Sequence, residues 1–202
     1  MTLTKTRSDS MDFTAARRAM IDSQLRTSGV NDPFVLERMN SVAREQFVPA
    51  SARGTAYIDR AITLENGRKI AAPLFYGMVL AEAQPKITDT VLVVDSGSGY
   101  LPELIRPLVA STEVITPEDA AGKTGSRKTY SLVLVDGAIE HVPAGLAKRI
   151  ADDGRIVTGL AKDGVTRLAV GRKATSEVAL LPLIEIGIPR LSEFDKPTSW
   201  SF

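Results

Sequence analysis

Val91-Leu92-Val93-Val94-Asp95-Ser96-Gly97-Ser98-Gly99-Tyr100 is the stretch that decides the fold. Its first four residues form a short apolar, mostly β-branched run, the pattern of a strand covered on both faces in a parallel sheet. The glycines that follow let the backbone turn tightly and approach a ligand at the start of the next helix. A Gly-x-Gly turn is common in α/β proteins, so by itself it fixes a turn and leaves a ligand open.

Outward from this stretch, strands and helices alternate. A helix follows around Pro102 to Val109, distorted by Pro107. Glu113-Val114-Ile115-Thr116 is a second strand and Ser131 to Val135 a third, ending at Asp136-Gly137. Pro143 starts a helix expected to end near Asp152-Asp153-Gly154, Arg155-Ile156-Val157 is a fourth strand, and Thr166 to Val170 with Val178 to Ile186 make a hairpin-like pair. The expectation is an α/β fold of Rossmann-like type, a mostly parallel sheet with helices on both faces and an antiparallel C-terminal hairpin.

Upstream, Met11 to Ser28 reads as a helix capped by Thr14, with Gly29 at its left-handed end. Asp32-Pro33 restarts a helix to about Val42, and Ala72-Pro73 opens another towards Ala83. Residues 50–70 are loop-rich, with Glu65-Asn66-Gly67 marking a turn. The reading is one domain over residues 11–202, with an N-terminal helical and loop region at 11–85, a core at 86–202, and a disordered tail at 1–10.

Composition narrows the chemistry. The 202 residues carry a net charge of +1, which gives no reason to expect nucleic acid or an anionic membrane as partner. There is no cysteine, so disulfides, thiolate metal sites and cysteine nucleophiles are excluded. A single histidine, His141, speaks against a histidine-rich metal site and reads as a surface or capping residue. No stretch approaches the roughly 20 apolar residues of a membrane helix, and the polar N-terminus has no apolar signal core, so a cytoplasmic location is expected.

Candidate ligand contacts gather at the carboxyl ends of the strands. They are Asp95, Ser96, Gly97 and Gly99 at the turn, and Asp136 after the third strand. Glu118 lies 19 residues after Gly99. Read at the end of the second strand, it stands near the ~20-residue offset at which a carboxylate meets ribose hydroxyls; the alternative is a solvated acid beside Asp119. Gly122-Lys123-Thr124 superficially matches a phosphate-binding loop, but Pro117 stands where that motif needs its first glycine.

Further stretches resemble the protein-L-isoaspartate O-methyltransferase family, in an alphaproteobacterial-type, degenerate form. They are Ala16 to Arg26, Gly29-Val30-Asn31-Asp32-Pro33, Arg44-Glu45-Gln46-Phe47-Val48-Pro49, Ala56-Tyr57, Tyr130 to Glu140, and the tail from Phe194 to Phe202. The resemblance implies a class I methyltransferase fold. It implies S-adenosylmethionine as cofactor and isoaspartyl residues of damaged proteins as substrate. It also places the substrate loop at Ile70, Ala71, Ala72 and Pro73, with no catalytic residue assigned.

Three departures from the family pattern stand out. Val93, Val94 and Asp95 occupy positions where the family carries an acid, any residue and a glycine. The substrate loop lacks the family's hydroxyl at Ala71 and amide at Ala72. Only 11 residues, Asp119 to Thr129, separate Glu118 from Tyr130. Such a segment reaches about 36 Å, enough to pass directly to the next strand but too short for a helix, a strand and a return loop. The sheet is therefore expected to lack its third strand and to leave the second as an exposed edge open to a protein partner. Two readings follow: an isoaspartyl methyltransferase with reduced activity, or an inactive relative serving as a binding or scaffold module.

Overall fold

The computed structural model describes residues 12–122, 127–174 and 177–196. The expected tail, most of the Gly-Lys-Thr stretch and residues 197–202 lie outside them.

Helix α1 (Phe13–Met20) runs into a π-helical turn, Ile21–Leu25, and a 3-10 turn, Arg26–Ser28. Its cap is Asp12, whose carboxylate accepts from the backbone N–H groups of Thr14 and Ala15; the expected cap, Thr14, lies inside the helix. Gly29 closes the segment at φ 88°. Helix α2 (Pro33–Ser41) begins with its proline in the first turn, though the Asp32 side chain makes no capping bond. The loop-rich region folds into a small hairpin, β1 (Ile62–Thr63) with β2 (Lys69–Ile70), whose tip carries Gly67 at φ 80°. Helix α3 (Pro73–Ala83) is buried almost all round, which is why its sequence lacks a polar face.

The core alternates as expected: β3 (Thr90–Val94), α4 (Tyr100–Ile105), β4 (Ser111–Ile115), α5 (Pro117–Ala121), β5 (Tyr130–Ile139), α6 (Ala144–Ala147), β6 (Ile150–Lys162), β7 (Val165–Ala174) and β8 (Glu177–Glu185). Pro107 ends α4 early, and a 3-10 turn takes over at Arg106–Leu108. The six-stranded sheet has the order β4-β3-β5-β6-β7-β8, parallel from β4 to β6 and antiparallel from β6 to β8. Among the described residues β4 is one edge and no strand lies beyond it, as the short Asp119–Thr129 connection requires.

The helix expected from Pro143 to Asp152 is a correction. It stops at Ala147, and Asp152 to Gly154 belong to β6. The pairing of β6 with β5 shifts register between Tyr130 and Leu132, and Gly154 lets the chains approach: a Cβ there would lie 2.8 Å from the Tyr130 carbonyl oxygen.

Strand alternation divides the core in two. Val91, Val93, Leu132, Leu134 and Val157 face the N-terminal helices and α3, whereas Leu92, Val94, Val133, Val135 and Ile156 face Leu146, Leu191 and Phe194. His141 anchors the second layer through a 3.0 Å contact from Nδ1 to the Phe194 carbonyl.

Candidate functional site

The carboxyl ends of β3 and β5 bring together most of the residues singled out in the sequence. After Val94 the chain turns through Gly97 (φ 101°) and Gly99 (φ 72°), conformations that favour glycine. Asp95 folds back over this turn. Its carboxylate accepts the Gly97 N–H at 3.0 Å and the Gly99 N–H at 3.1 and 3.2 Å, while the Ser98 hydroxyl oxygen accepts the Tyr100 N–H at 3.1 Å. Burial raises the Asp95 pKa and those two amide bonds oppose the rise.

Asp136 lies 2% exposed below the turn. It accepts the Tyr76 hydroxyl at 2.8 Å on Oδ1 and the Ser96 hydroxyl at 2.8 Å on Oδ2, with Ser98 Oγ 3.4 Å away. Burial, reinforced by the charge of Asp95, pushes its pKa up to about 7 despite the Tyr76 and Ser96 hydrogen bonds. Tyr76, on α3, also accepts the Ala71 N–H at 3.1 Å, so one phenol joins the substrate loop to the turn. The same loop is held from below by Arg44, which is fully buried. Arg44 donates from Nε to the Ala56 carbonyl at 2.7 Å and from Nη2 to the Ala71 carbonyl at 2.5 Å. Its guanidinium carbon stands 5.5 Å from the Tyr76 ring centroid and 5.2 Å from that of Tyr100, cation–π contacts with an edge-to-face ring pair that help a desolvated charge.

Glu118 is not at the end of β4, as expected, but in the first turn of α5, which Thr116 caps by accepting the Asp119 N–H. It is exposed and pairs with Arg68 from the β1–β2 hairpin, which also bonds Glu193 at 2.7 Å. The hairpin tip leans on the turn as well: the Asn66 side-chain nitrogen lies too close to Gly97 for a Cβ there to fit. Of the substrate loop, Ile70, Ala71 and Pro73 are buried and Ala72 is half-buried; Ala72 lines an open cavity with Lys69, Arg60 and Phe75.

Tyr76, Arg44, Asn66 and Arg68 were not singled out from sequence. A phenol in a largely apolar helix shows that Tyr76 needs a hydrogen-bond partner, but not which one. Among the described residues no cluster of metal-ligating side chains occurs, and no helix is long and apolar enough to cross a membrane.

Residues 15–121 match the model of the Protein-L-isoaspartate(D-aspartate) O-methyltransferase family. The chain belongs to this family. A protein-L-isoaspartate O-methyltransferase of Roseiflexus castenholzii is 32% identical over 73% of this chain and 78% of that relative. One from Marinobacter nauticus, protein-L-isoaspartate O-methyltransferase 2, is 31% identical over 84% of this chain and 89% of the other. In fold the chain is similar to a Plasmodium falciparum protein of the same name, solved in complex with S-adenosyl-L-homocysteine (TM-score 0.72, 15% identity, 88% of this chain and 98% of that one). The chain thus has a Rossmann-like methyltransferase fold, in common with solved protein-L-isoaspartate O-methyltransferases.

Members of the family bind S-adenosylmethionine. As arranged here, the glycine turn does not fit the anionic end of that cofactor. The N–H groups of Gly97, Gly99 and Tyr100 already bond to Asp95 and Ser98, and Asn66 covers Gly97.

Proposed function

We propose that the chain methylates isoaspartyl carboxylates of damaged proteins from S-adenosylmethionine, with a weakened hold on the cofactor. The observation that carries this reading is the Tyr76 phenol, which ties Ala71 of the substrate loop to Asp136 and, through it, to Ser96 of the turn. Methyl transfer to a carboxylate needs chiefly alignment of two bound reactants, and a rigid link between their two sites supplies it. In this reading the cofactor lies against the Gly97 and Gly99 turn above Asp136 without taking the amides that Asp95 holds, Glu118 reaches the ribose once Arg68 releases it, and Ala72, the half-buried member of the 70–73 loop, faces the substrate. No protein nucleophile is required.

Titration calorimetry with S-adenosylmethionine and S-adenosylhomocysteine, paired with methyl transfer to an isoaspartyl peptide, tests it. Binding weaker than about 10 μM together with turnover is expected, and absence of heat at about 1 mM cofactor sinks the reading.

A second reading is favoured by Asp95 filling the turn and by the edge of β4, beyond which no strand lies among the described residues and where Val114 is 44% exposed. There the chain is an inactive relative that binds a protein partner along that edge. Turnover of an isoaspartyl peptide excludes it.

A further inference from the structure

We propose that Asp95 makes this turn select an adenosyl sulfonium lacking a carboxylate over S-adenosylmethionine itself. The inference rests on the reading of the turn as the cofactor site.

Backbone N–H groups converging at a glycine turn form an anion-binding nest. The carboxylate is the anionic group of S-adenosylmethionine, and free amides at such a turn are donors suited to it. Here the chain supplies its own anion. Asp95 bonds the Gly97 N–H through Oδ2 and the Gly99 N–H through both oxygens. The carboxylate is internal to the turn, only two and four residues from the amides it takes, so its local concentration exceeds that of any free ligand. A second carboxylate arriving there meets both occupied donors and a like charge. Asp136, buried below the same turn with Oδ2 on the Ser96 hydroxyl, holds its proton into the neutral range, so the repelling charge is that of Asp95. A cation meets the opposite field. The ammonium and sulfonium of a decarboxylated cofactor would face Asp95, with the buried Arg44 held away by carbonyl and aromatic contacts. The same substitution that removes the usual glycine thus replaces one charge of the ligand by one of the protein.

The experiment compares S-adenosylmethionine with its decarboxylated form, which differ only by that carboxylate. Calorimetric titration is made with the full chain and with Asp95→Gly and Asp95→Asn. The natural chain should bind the decarboxylated form about tenfold tighter or more, as expected for adding a like charge to an occupied site. Asp95→Gly should abolish or invert the preference. Asp95→Asn keeps an acceptor for the amides but loses the charge, so it should give a smaller preference even if the glycine variant folds poorly. A preference equal in all three proteins, or one favouring S-adenosylmethionine in the natural chain, overturns the role of Asp95 while leaving the turn as the cofactor site. No binding of either ligand to any of the three overturns the site reading, and the inference falls with it.

Discussion

A fully buried carboxylate with no cation in contact is costly in its charged form, and Asp136 is such a group. The groups that face it are Tyr76, Ser96, Ser98, Asp95 and, at longer range, Arg44. Because the folded pKa is raised to about 7, the fold holds a proton that the unfolded chain has already released. The stability contributed by protonated Asp136 is fully present below about pH 4, the value of an unperturbed aspartate, and is lost as pH rises towards 7. The slope is at most about 1.4 kcal/mol per pH unit. Asp136→Asn keeps the shape and an acceptor for Tyr76 while removing the charge. Denaturant unfolding from pH 5 to 8 should show the natural chain losing stability relative to this variant, by about 2–4 kcal/mol at pH 8. Parallel curves would mean that Asp136 is charged throughout, and that the burial penalty is met by the Tyr76 and Ser96 hydroxyls.

Elements whose partners are close in sequence, or whose apolar pattern is continuous, were legible. The strand Val91 to Val94, the start of α3 at Pro73 and the break at Pro107 follow from local chemistry and are found where expected. Asp152 to Gly154 were misread as the end of a helix because an Asp-Asp-Gly sequence favours a turn, whereas they form the irregularity inside β6, between Ile150, paired with Tyr130, and Arg155, paired with Leu132. Glu118 was placed one element too early because Pro117, read only as a mismatch to a phosphate loop, is the proline that opens α5. Arg44 and Tyr76 were illegible for another reason. Arginine is rarely fully buried, and the bond from Tyr76 to Asp136 spans 60 residues. The hairpin of β1 and β2 joins the site by side-chain contacts that no local pattern announces. Its tip is held to α5 and to Glu193 through Arg68, whose side chain is 23% exposed. Partly exposed ion pairs contribute little, so Arg68→Ala should change global stability by less than about 1 kcal/mol. Amide hydrogen exchange of Asn66 to Lys69 should nevertheless rise, because the tip loses both anchors. A large drop in melting temperature with unchanged exchange at the tip would mean that Arg68 holds the core rather than the hairpin.

The methyltransferase core does not stand apart from the region before it. One apolar cluster runs from Met20, Leu25 and Met39 through Phe75, Val79 and Leu80 to Val91, Val93, Leu101, Leu134, Val157 and Leu168. The N-terminal region therefore packs, with α4, against one face of the sheet, and Gly77 marks how closely its own helices pack: a Cβ there would lie 2.9 Å from Leu25 Cδ2. Arg17 fastens the same region from outside, bonding the Tyr57 hydroxyl at 2.8 Å and the Asn40 carbonyl at 2.7 Å. The boundary near residue 85 is a change of composition, and we propose that it is not a boundary of stability. Two consequences follow for the intact chain and its truncation. Thermal unfolding of residues 1–202 should be one transition, with calorimetric and van't Hoff enthalpies equal. A fragment beginning at residue 86 would strip the N-terminal helices and α3 from the face that carries Val91, Val93, Leu132 and Leu134. It should lose near-UV circular dichroism and bind a hydrophobic dye while keeping far-UV signal, the behaviour of a sheet without fixed packing. A fragment that melts cooperatively by itself would show that the second layer, built on Val133, Leu146 and Phe194, suffices to hold the core.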